Sequence, residues 1–149
     1  MSETCLNTIY IGSDHAGFAL KNNLAEYLKE LGFTVQDCGA YTPERSDYPE
    51  AAHKVCAGVL EQGCRGVLVC GSGQGMCMAA NRHKGIRAAL CTHEFHARGS
   101  RAHNNANIIC LGERITAPAL ARELLKLFLD TPFEGGRHQH RLELLEVVS

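Results

Sequence analysis

The sequence predicts an α/β domain in which a parallel sheet is covered by helices on both faces. Short apolar segments alternate with amphipathic helical segments five times, which is the pattern of parallel strands joined by crossover helices. The third apolar segment, 67–70, is valine-rich and runs into alternating glycines, as a buried parallel strand does when it enters a tight loop. The 149 residues suit a single domain over 1–149 with a core of its own, and no linker or internal repeat divides them.

The first half of the chain contains three of the predicted strands. An apolar strand at 8–12 precedes an amphipathic helix with leucine along one face, which Gly32 closes. Alternating residues at 33–38 indicate the second strand. Pro49 stands where the next helix can begin, and Gly63 ends that helix before the third strand.

The second half continues the alternation of helices and strands. Its helices are predicted at 76–82, 93–103, around 117–128 and at 137–147, and its strands at 86–91 and 107–111. Thr116 is a candidate N-cap for the third of these helices. The ligand site of such a sheet lies beyond the carboxyl ends of the strands, where the strand order reverses.

The composition excludes several classes of protein. The net charge is −1 and no long basic run is present, so we expect no nucleic-acid partner. No apolar stretch is long enough for a membrane span, and the first residues lack a signal peptide, which predicts a cytoplasmic protein. The eight cysteines form no Cys-x-x-Cys motif, which favours reduced thiols over a zinc ribbon or a disulfide framework. We expect no cofactor.

The glycine-rich loop after the third strand is the strongest local signal for a site. Glycine falls at 71, 73 and 75, and a helix follows, so free backbone N–H groups gather at the positive end of a helix. Cys70 lies beside this cradle, where its thiolate form is favoured. The loop lacks the third glycine of a dinucleotide-binding motif and the Lys-Ser or Lys-Thr of a P-loop. A sharp turn beside an inert cysteine is the structural alternative.

Polar side chains follow all of the strands. They are Asp14 and His15 after the first, Tyr48 after the second, Cys70 and Ser72 after the third, His103 and Asn104 at the end of the segment after the fourth, and Arg114 after the fifth. Taken singly, each has an ordinary structural explanation, such as a helix cap for Asp14. Together, an acid, a thiol, a hydroxyl, an imidazole and a guanidinium on one rim favour a functional site.

Near the C-terminus, Arg137 and Arg141 share one face of the predicted last helix. Paired guanidiniums suit phosphate or carboxylate oxygens, although a solvated basic turn explains them equally well. The pairs His93/His96 and His138/His140 have no evident third ligand nearby in the sequence, so we expect no metal.

Five motifs together resemble the type B ribose-5-phosphate isomerases, a family that also includes the subunits of galactose-6-phosphate isomerase. They are Gly-Ser-Asp-His-Ala-Gly at 12–17, Ser-Asp-Tyr-Pro at 46–49, Cys-Gly-Ser-Gly-Gln-Gly at 70–75, His-Asn-Asn-Ala-Asn at 103–107 and Gly-Gly-Arg-His-Gln-His-Arg at 135–141. The resemblance covers nearly the whole chain. It implies a Rossmann-like three-layer α/β/α domain, homodimers or homotetramers, and metal-independent interconversion of ribose 5-phosphate and ribulose 5-phosphate, a step of the pentose phosphate pathway.

The resemblance also implies roles for individual residues. Cys70 corresponds to the base that moves a proton between C2 and C1, and His103 to the acid that opens the furanose ring. Ser72 and the N–H groups of Gly71, Gly73, Gln74 and Gly75 would hold the enediolate oxygens, Asp14 and Tyr48 the sugar hydroxyls, His15, Arg114, Arg137 and Arg141 the phosphate, and Asn104 would position the substrate. One branch of the family uses a glutamate after the glycine loop as the base. Met76 occupies that place here, so the chain resembles the cysteine branch.

The resemblance further implies that each site is shared between two subunits. Cys70 would come from one chain, while His103, Arg137 and Arg141 would come from its partner, with the helix over about 137–147 packed on the partner. Three alternatives stay open: a nucleotide-binding module, a thiol-based redox sensor and, within the family, an isomerase of hexose 6-phosphates such as allose or galactose 6-phosphate.

Overall fold

The computed structural model describes residues 3–147 and confirms the three-layer α/β/α architecture. The strands are β1 (Thr8–Ser13), β2 (Thr34–Asp37), β3 (Arg65–Cys70), β4 (Ala88–Leu90) and β5 (Ile108–Gly112). The helices are α1 (Glu3–Leu6), α2 (Phe18–Glu30), α3 (Tyr48–Gln62), α4 (Gln74–Ala80), α5 (Glu94–Ala102), α6 (Pro118–Asp130) and α7 (Arg137–Leu145). Within residues 3–147, none of the helices has the length and apolar content needed to cross a membrane.

All strand pairs of the sheet are parallel, and the strand order is β2-β1-β3-β5-β4. The chain leaves β1 toward one edge and leaves β3 toward the other, so the order reverses between these two central strands. Ser13 at the end of β1 pairs with Val69 near the end of β3. The loops that follow β1 and β3 therefore open a crevice at the carboxyl edge of the sheet.

Two hydrophobic cores lie on opposite faces of the sheet because consecutive strand residues point to opposite sides. In β3, Val67 and Val69 pack with α2, α5 and α6, whereas Leu68 and Cys70 pack with α3 and α4. Cys70 is thus buried on the α3/α4 face at the last position of its strand. Because both faces of β3 are packed, the start of the glycine loop is held in place at the carboxyl edge of the sheet.

The element boundaries differ from the predicted ones by a few residues. The fourth strand is the most shortened, because β4 is an edge strand that pairs only with β5. The prediction that Thr116 caps a helix is wrong: α6 begins at Pro118 after Ala117, and the Thr116 hydroxyl is buried. The last helix ends at Leu145 rather than at 147.

A buried lysine ties α2 to the end of β2. Lys21 is 1% exposed, and its Nζ donates hydrogen bonds to both carboxylate oxygens of Asp37, at 3.0 and 2.9 Å, and to the carbonyl oxygen of Ala40 at 2.5 Å. This contact fixes the loop that leads from β2 toward the crevice.

We expect Lys21→Ala to lower the free energy of unfolding by about 2–3 kcal/mol, since it removes the Lys21 donor from the Ala40 carbonyl and leaves the Asp37 carboxylate with the Gly39 N–H but without its charged partner. Lys29→Ala on the same helix is the matched control, because Lys29 pairs with Glu26 at an exposed surface position and such pairs contribute about 1 kcal/mol or less. Urea unfolding of the three proteins measures both differences. Equal stability of the two variants would show that the buried contact is not stabilising.

Candidate active site

Cys70 and the glycine loop meet at the carboxyl end of β3. The backbone N–H of Gly73 donates to Cys70 Sγ at 3.1 Å, and the N–H of Gln74 donates to Ser72 Oγ at 3.2 Å. Gly73 has φ of 80°, a conformation that side chains disfavour, and it turns its N–H back toward the thiol. The loop therefore places a hydrogen-bond donor on the sulfur of Cys70.

The loop after β1 forms the other wall of the crevice. Asp14 is buried, and its Oδ1 accepts a hydrogen bond from Gly17 N at 3.1 Å, so one carboxylate oxygen caps the single 3₁₀ turn over His15–Gly17. A Cβ at Gly17 would lie 2.5 Å from the carbonyl oxygen of Val69, so this turn rests on the end of β3. His15 Nδ1 lies 3.2 Å from the N–H of Ser46, which joins the turn to the loop after β2.

Tyr48 and Arg114 approach the glycine loop from α3 and from the loop after β5. A Cβ at Gly75 would lie 2.8 Å from Tyr48 Cζ, and one at Gly71 would lie 3.2 Å from Arg114 Nη1. The backbone N–H of Arg114 also donates to the carbonyl oxygen of Gly71 at 3.0 Å. The strand ends therefore bring Asp14, His15, Tyr48 and Arg114 around the Cys70 loop, as the sequence predicts.

His103, Asn104 and Arg141 lie elsewhere. They line an open cavity of about 560 Å³ between the end of α5 and helix α7, together with Ser100, His138 and Leu142. Arg137 opens α7, one turn before Arg141. The rings of His103 and His138 stack with centroids 4.5 Å apart. None of the residues that line this cavity belongs to the glycine loop.

The described part of the chain thus contains two separate groups of candidate residues. One surrounds Cys70 at the switch point of the sheet, and the other lies between α5 and α7. Asn104 is held there partly through its carbonyl oxygen, which accepts from Arg87 Nε at 3.1 Å.

Glu134 and His138 belong to the second group, and sequence reasoning assigned neither to a site. His138 is buried, and this burial lowers the pKa of its imidazole, with Arg137 and then His103 acting in the same direction. Glu134 lies 3.8 Å from His103 Nε2 and 3.7 Å from His138 Nε2. The expectation that His138 has no third ligand nearby is therefore wrong. His103 approaches it from the end of α5, and Glu134 approaches it from the loop before α7.

A second thiol on α4 has an unusual environment. Hydrogen bonding from the Cys110 thiol is the largest of the effects that lower the pKa of Cys77 to about 7, and Leu90 and Asn81 contribute further. Burial raises the pKa of Cys56, on the neighbouring helix, to about 11. Cys77 is therefore the natural control for any experiment that assigns a role to the Cys70 thiol.

The family model described as ribose/galactose isomerase matches residues 9–145 of this chain. The chain belongs to the ribose/galactose isomerase family. The match includes every residue of both groups, so both the crevice around Cys70 and the cavity beside α7 lie within the region that matches this isomerase family.

Individual relatives agree with this assignment. The chain is 38% identical to ribose-5-phosphate isomerase B of Escherichia coli over 144 residues, which covers 96% of this chain and 97% of the relative. It matches the structure of a ribose 5-phosphate isomerase from Thermotoga maritima with a TM-score of 0.93 and 46% identity, over 95% of this chain and 98% of the other. It is also 41% identical to D-erythrulose-4-phosphate isomerase of Pectobacterium atrosepticum over 91% of each chain.

Proposed function

We propose that this chain interconverts ribose 5-phosphate and ribulose 5-phosphate, with Cys70 as the base that moves a proton between C2 and C1 through an enediolate. The observation that carries the proposal is the hydrogen bond of 3.1 Å from the Gly73 N–H to Cys70 Sγ at the switch point of the sheet. An aldose–ketose conversion needs one base that reaches both carbons, and the Cys70 sulfur beside the crevice is in a position to serve as that base.

The glycine loop also supports stabilisation of the enediolate. Its N–H groups and the hydroxyl of Ser72 lie next to the thiol, at the point where negative charge would develop on the substrate oxygens. In this proposal Asp14 binds a sugar hydroxyl with the carboxylate oxygen that does not accept from the Gly17 N–H, and Tyr48 binds one with its phenol hydroxyl. His15 and Arg114, on opposite sides of the loop, bind the phosphate together with Arg137 and Arg141.

The separation of the two groups of residues supports a site shared between subunits. His103, the proposed acid for ring opening, and Arg141 of α7 line a cavity whose lining does not include Cys70, and Arg137 begins the same helix. Exposed large apolar residues lie in this cavity (Phe95 and Leu145), on α7 (Leu144) and just after α7 (Val147). Such residues favour burial against another subunit, and a two-fold pair would bring the cavity of one chain to the Cys70 crevice of the other.

The choice of pentose over hexose is tested with a panel of substrates. The relatives include isomerases of ribose 5-phosphate and of D-erythrulose 4-phosphate, so sugar length varies among them. We expect the highest kcat/KM for ribose 5-phosphate when the chain is assayed against four-, five- and six-carbon aldose and ketose phosphates. A higher kcat/KM for allose or galactose 6-phosphate would assign the chain to the hexose phosphates instead.

Changing Arg137 or Arg141 to Ala should weaken binding of ribose 5-phosphate by about 1–3 kcal/mol, because each removes a charge-assisted hydrogen bond to phosphate. Arg98→Ala is the matched control, since Arg98 pairs with Glu94 on the exposed face of α5. Affinity is measured by calorimetry with a non-isomerising analogue of the sugar phosphate. Unphosphorylated ribose should bind the wild type and the variants equally poorly, and an unchanged affinity for the phosphate analogue would remove these arginines from the site.

A further inference from the structure

The cavity beside α7 contains a cluster of potential metal ligands, and the proposed isomerisation does not use them to bind a metal. One nitrogen each from His103 and His138 and one oxygen from Glu134 all lie within 4.8 Å of one another. Glu134 spans the pair, with one oxygen 3.8 Å from His103 Nε2 and the other 3.7 Å from His138 Nε2. Within residues 3–147 this is the only cluster of three or more such residues.

His138 supplies a second, independent observation. Its side chain is only 8% exposed, and its Nε2 is buried without a hydrogen-bond partner among the described residues. A buried nitrogen without a partner is costly, and in native structures such an atom usually has a ligand or an ion that satisfies it. This atom points to Glu134, so the unsatisfied nitrogen faces into the cluster.

The donor set decides which ion fits. Two imidazoles and one carboxylate are ligands that zinc binds in tetrahedral sites with three protein ligands and one open position. Magnesium and calcium prefer oxygen ligands throughout, so the two imidazoles count against them. We propose that His103, Glu134 and His138 bind a Zn²⁺ ion, with the fourth position open to the cavity.

The cluster can close around the ion with side-chain movement alone. Tetrahedral zinc with bonds of about 2.0–2.2 Å places its ligand atoms about 3.2–3.6 Å apart. The atoms here are separated by 4.8 Å at most, so the contraction is small. Buried His138 provides the fixed ligand, whereas the side chains of His103 and Glu134 are 45% and 55% exposed and can turn toward the ion. The ring of His103 leaves its stack on His138 when it does so, because two stacked rings cannot aim their nitrogens at one tetrahedral centre.

Zinc binding is measured by calorimetric titration of the EDTA-treated full chain, with a chelator of known affinity as competitor. We expect one Zn²⁺ per chain. Glu134→Gln and His138→Gln should each weaken the affinity at least about tenfold, the lower range for loss of a group that supports a metal. The exposed residue His140 lies on the same helix outside the cluster, so His140→Gln should bind zinc as the wild type does.

Three results would overturn the proposal. The first is the absence of zinc binding. The second is an affinity that Glu134→Gln leaves unchanged, and because Glu134 is exposed, this test stays valid even if His138→Gln fails to fold. The third is a sulfur-to-metal charge-transfer band when Co²⁺ replaces Zn²⁺, which would locate the ion on a cysteine. A spectrum of nitrogen and oxygen ligation supports the site.

Zinc at this site would also occupy the imidazole of His103, and this consequence rests on the proposed function. We expect zinc to inhibit conversion of ribose 5-phosphate, EDTA to reverse the inhibition, and Glu134→Gln to need at least about tenfold more zinc for the same inhibition. If zinc binds with the expected dependence on Glu134 and His138 but the activity is unaffected, the zinc site stands and the role of His103 in ring opening is excluded.

Discussion

Replacing Cys70 with alanine should reduce kcat for ribose 5-phosphate by about a thousandfold or more, within the range expected for loss of a positioned general base. The side chain is small and its environment is apolar, so the fold and the affinity for substrate should change little. The decisive measurement is exchange of the substrate C2 hydrogen with solvent deuterium, followed by NMR. Exchange should stop in Cys70→Ala, because no base remains to remove the proton.

Cys77→Ala is the matched control for this experiment. Cys77 lies on the helix that follows the loop, and its lowered pKa makes it the other candidate thiolate in this region. We expect this variant to keep activity within a few fold of the wild type. Exchange at the normal rate in Cys70→Ala would show that another group is the base, and loss of exchange in Cys77→Ala alone would identify that group.

Mixing Cys70→Ala with Arg137→Ala, a variant that weakened phosphate binding leaves poorly active at limiting substrate, should restore about a quarter of the wild-type sites if the site is shared between subunits. Cys70→Ala damages the crevice at the switch point, and Arg137→Ala damages the group beside α7. Random pairing places about half of the dimers in the mixed state, and each mixed dimer has one doubly damaged site and one intact site. The activity is measured at limiting ribose 5-phosphate after the two proteins are refolded together.

A second mixture provides the control. Cys70 and Ser72 lie in the same loop, so a mixture of Cys70→Ala with Ser72→Ala contains no intact site and should stay inactive. Formation of mixed dimers is checked by native mass spectrometry with one variant isotopically labelled. If mixed dimers of Cys70→Ala and Arg137→Ala form and remain inactive, each site lies within one chain.

Local patterns of apolar residues and glycines predict most of the fold. The five alternations of strand and helix follow from the period of the apolar residues, and Gly63 ends α3 in the left-handed conformation that its position in the sequence predicts. The boundaries of the elements are predicted less accurately, because the ends of an element depend on neighbours that are distant in the sequence. The residues of β4 show this: only three pair with β5, although the apolar run is longer.

The first group of site residues could be predicted because most of its members directly follow a strand, while Tyr48 begins the helix after the loop that follows β2. In a parallel sheet all carboxyl ends lie at one edge, and Asp14, Cys70 and Arg114 come close because β1, β3 and β5 are neighbours in the strand order. The roles of these residues came from the family resemblance, and the family assignment itself is confirmed.

By itself the sequence determined the order of the elements, the glycine loop with its thiol, and the membership in the isomerase family. Only the tertiary structure decided the strand order β2-β1-β3-β5-β4, the buried contact between Lys21 and Asp37, and the cluster of His103, Glu134 and His138. The physical reason is that each of these features joins residues that are distant in the sequence, so each depends on how the strands and helices pack together. The cluster is held together by the stack of His103 on His138 and by the hydrogen bond of 3.0 Å from the Glu134 N–H to the carbonyl oxygen of Ala102, and no periodicity in the chain predicts the approach of α7 to the end of α5.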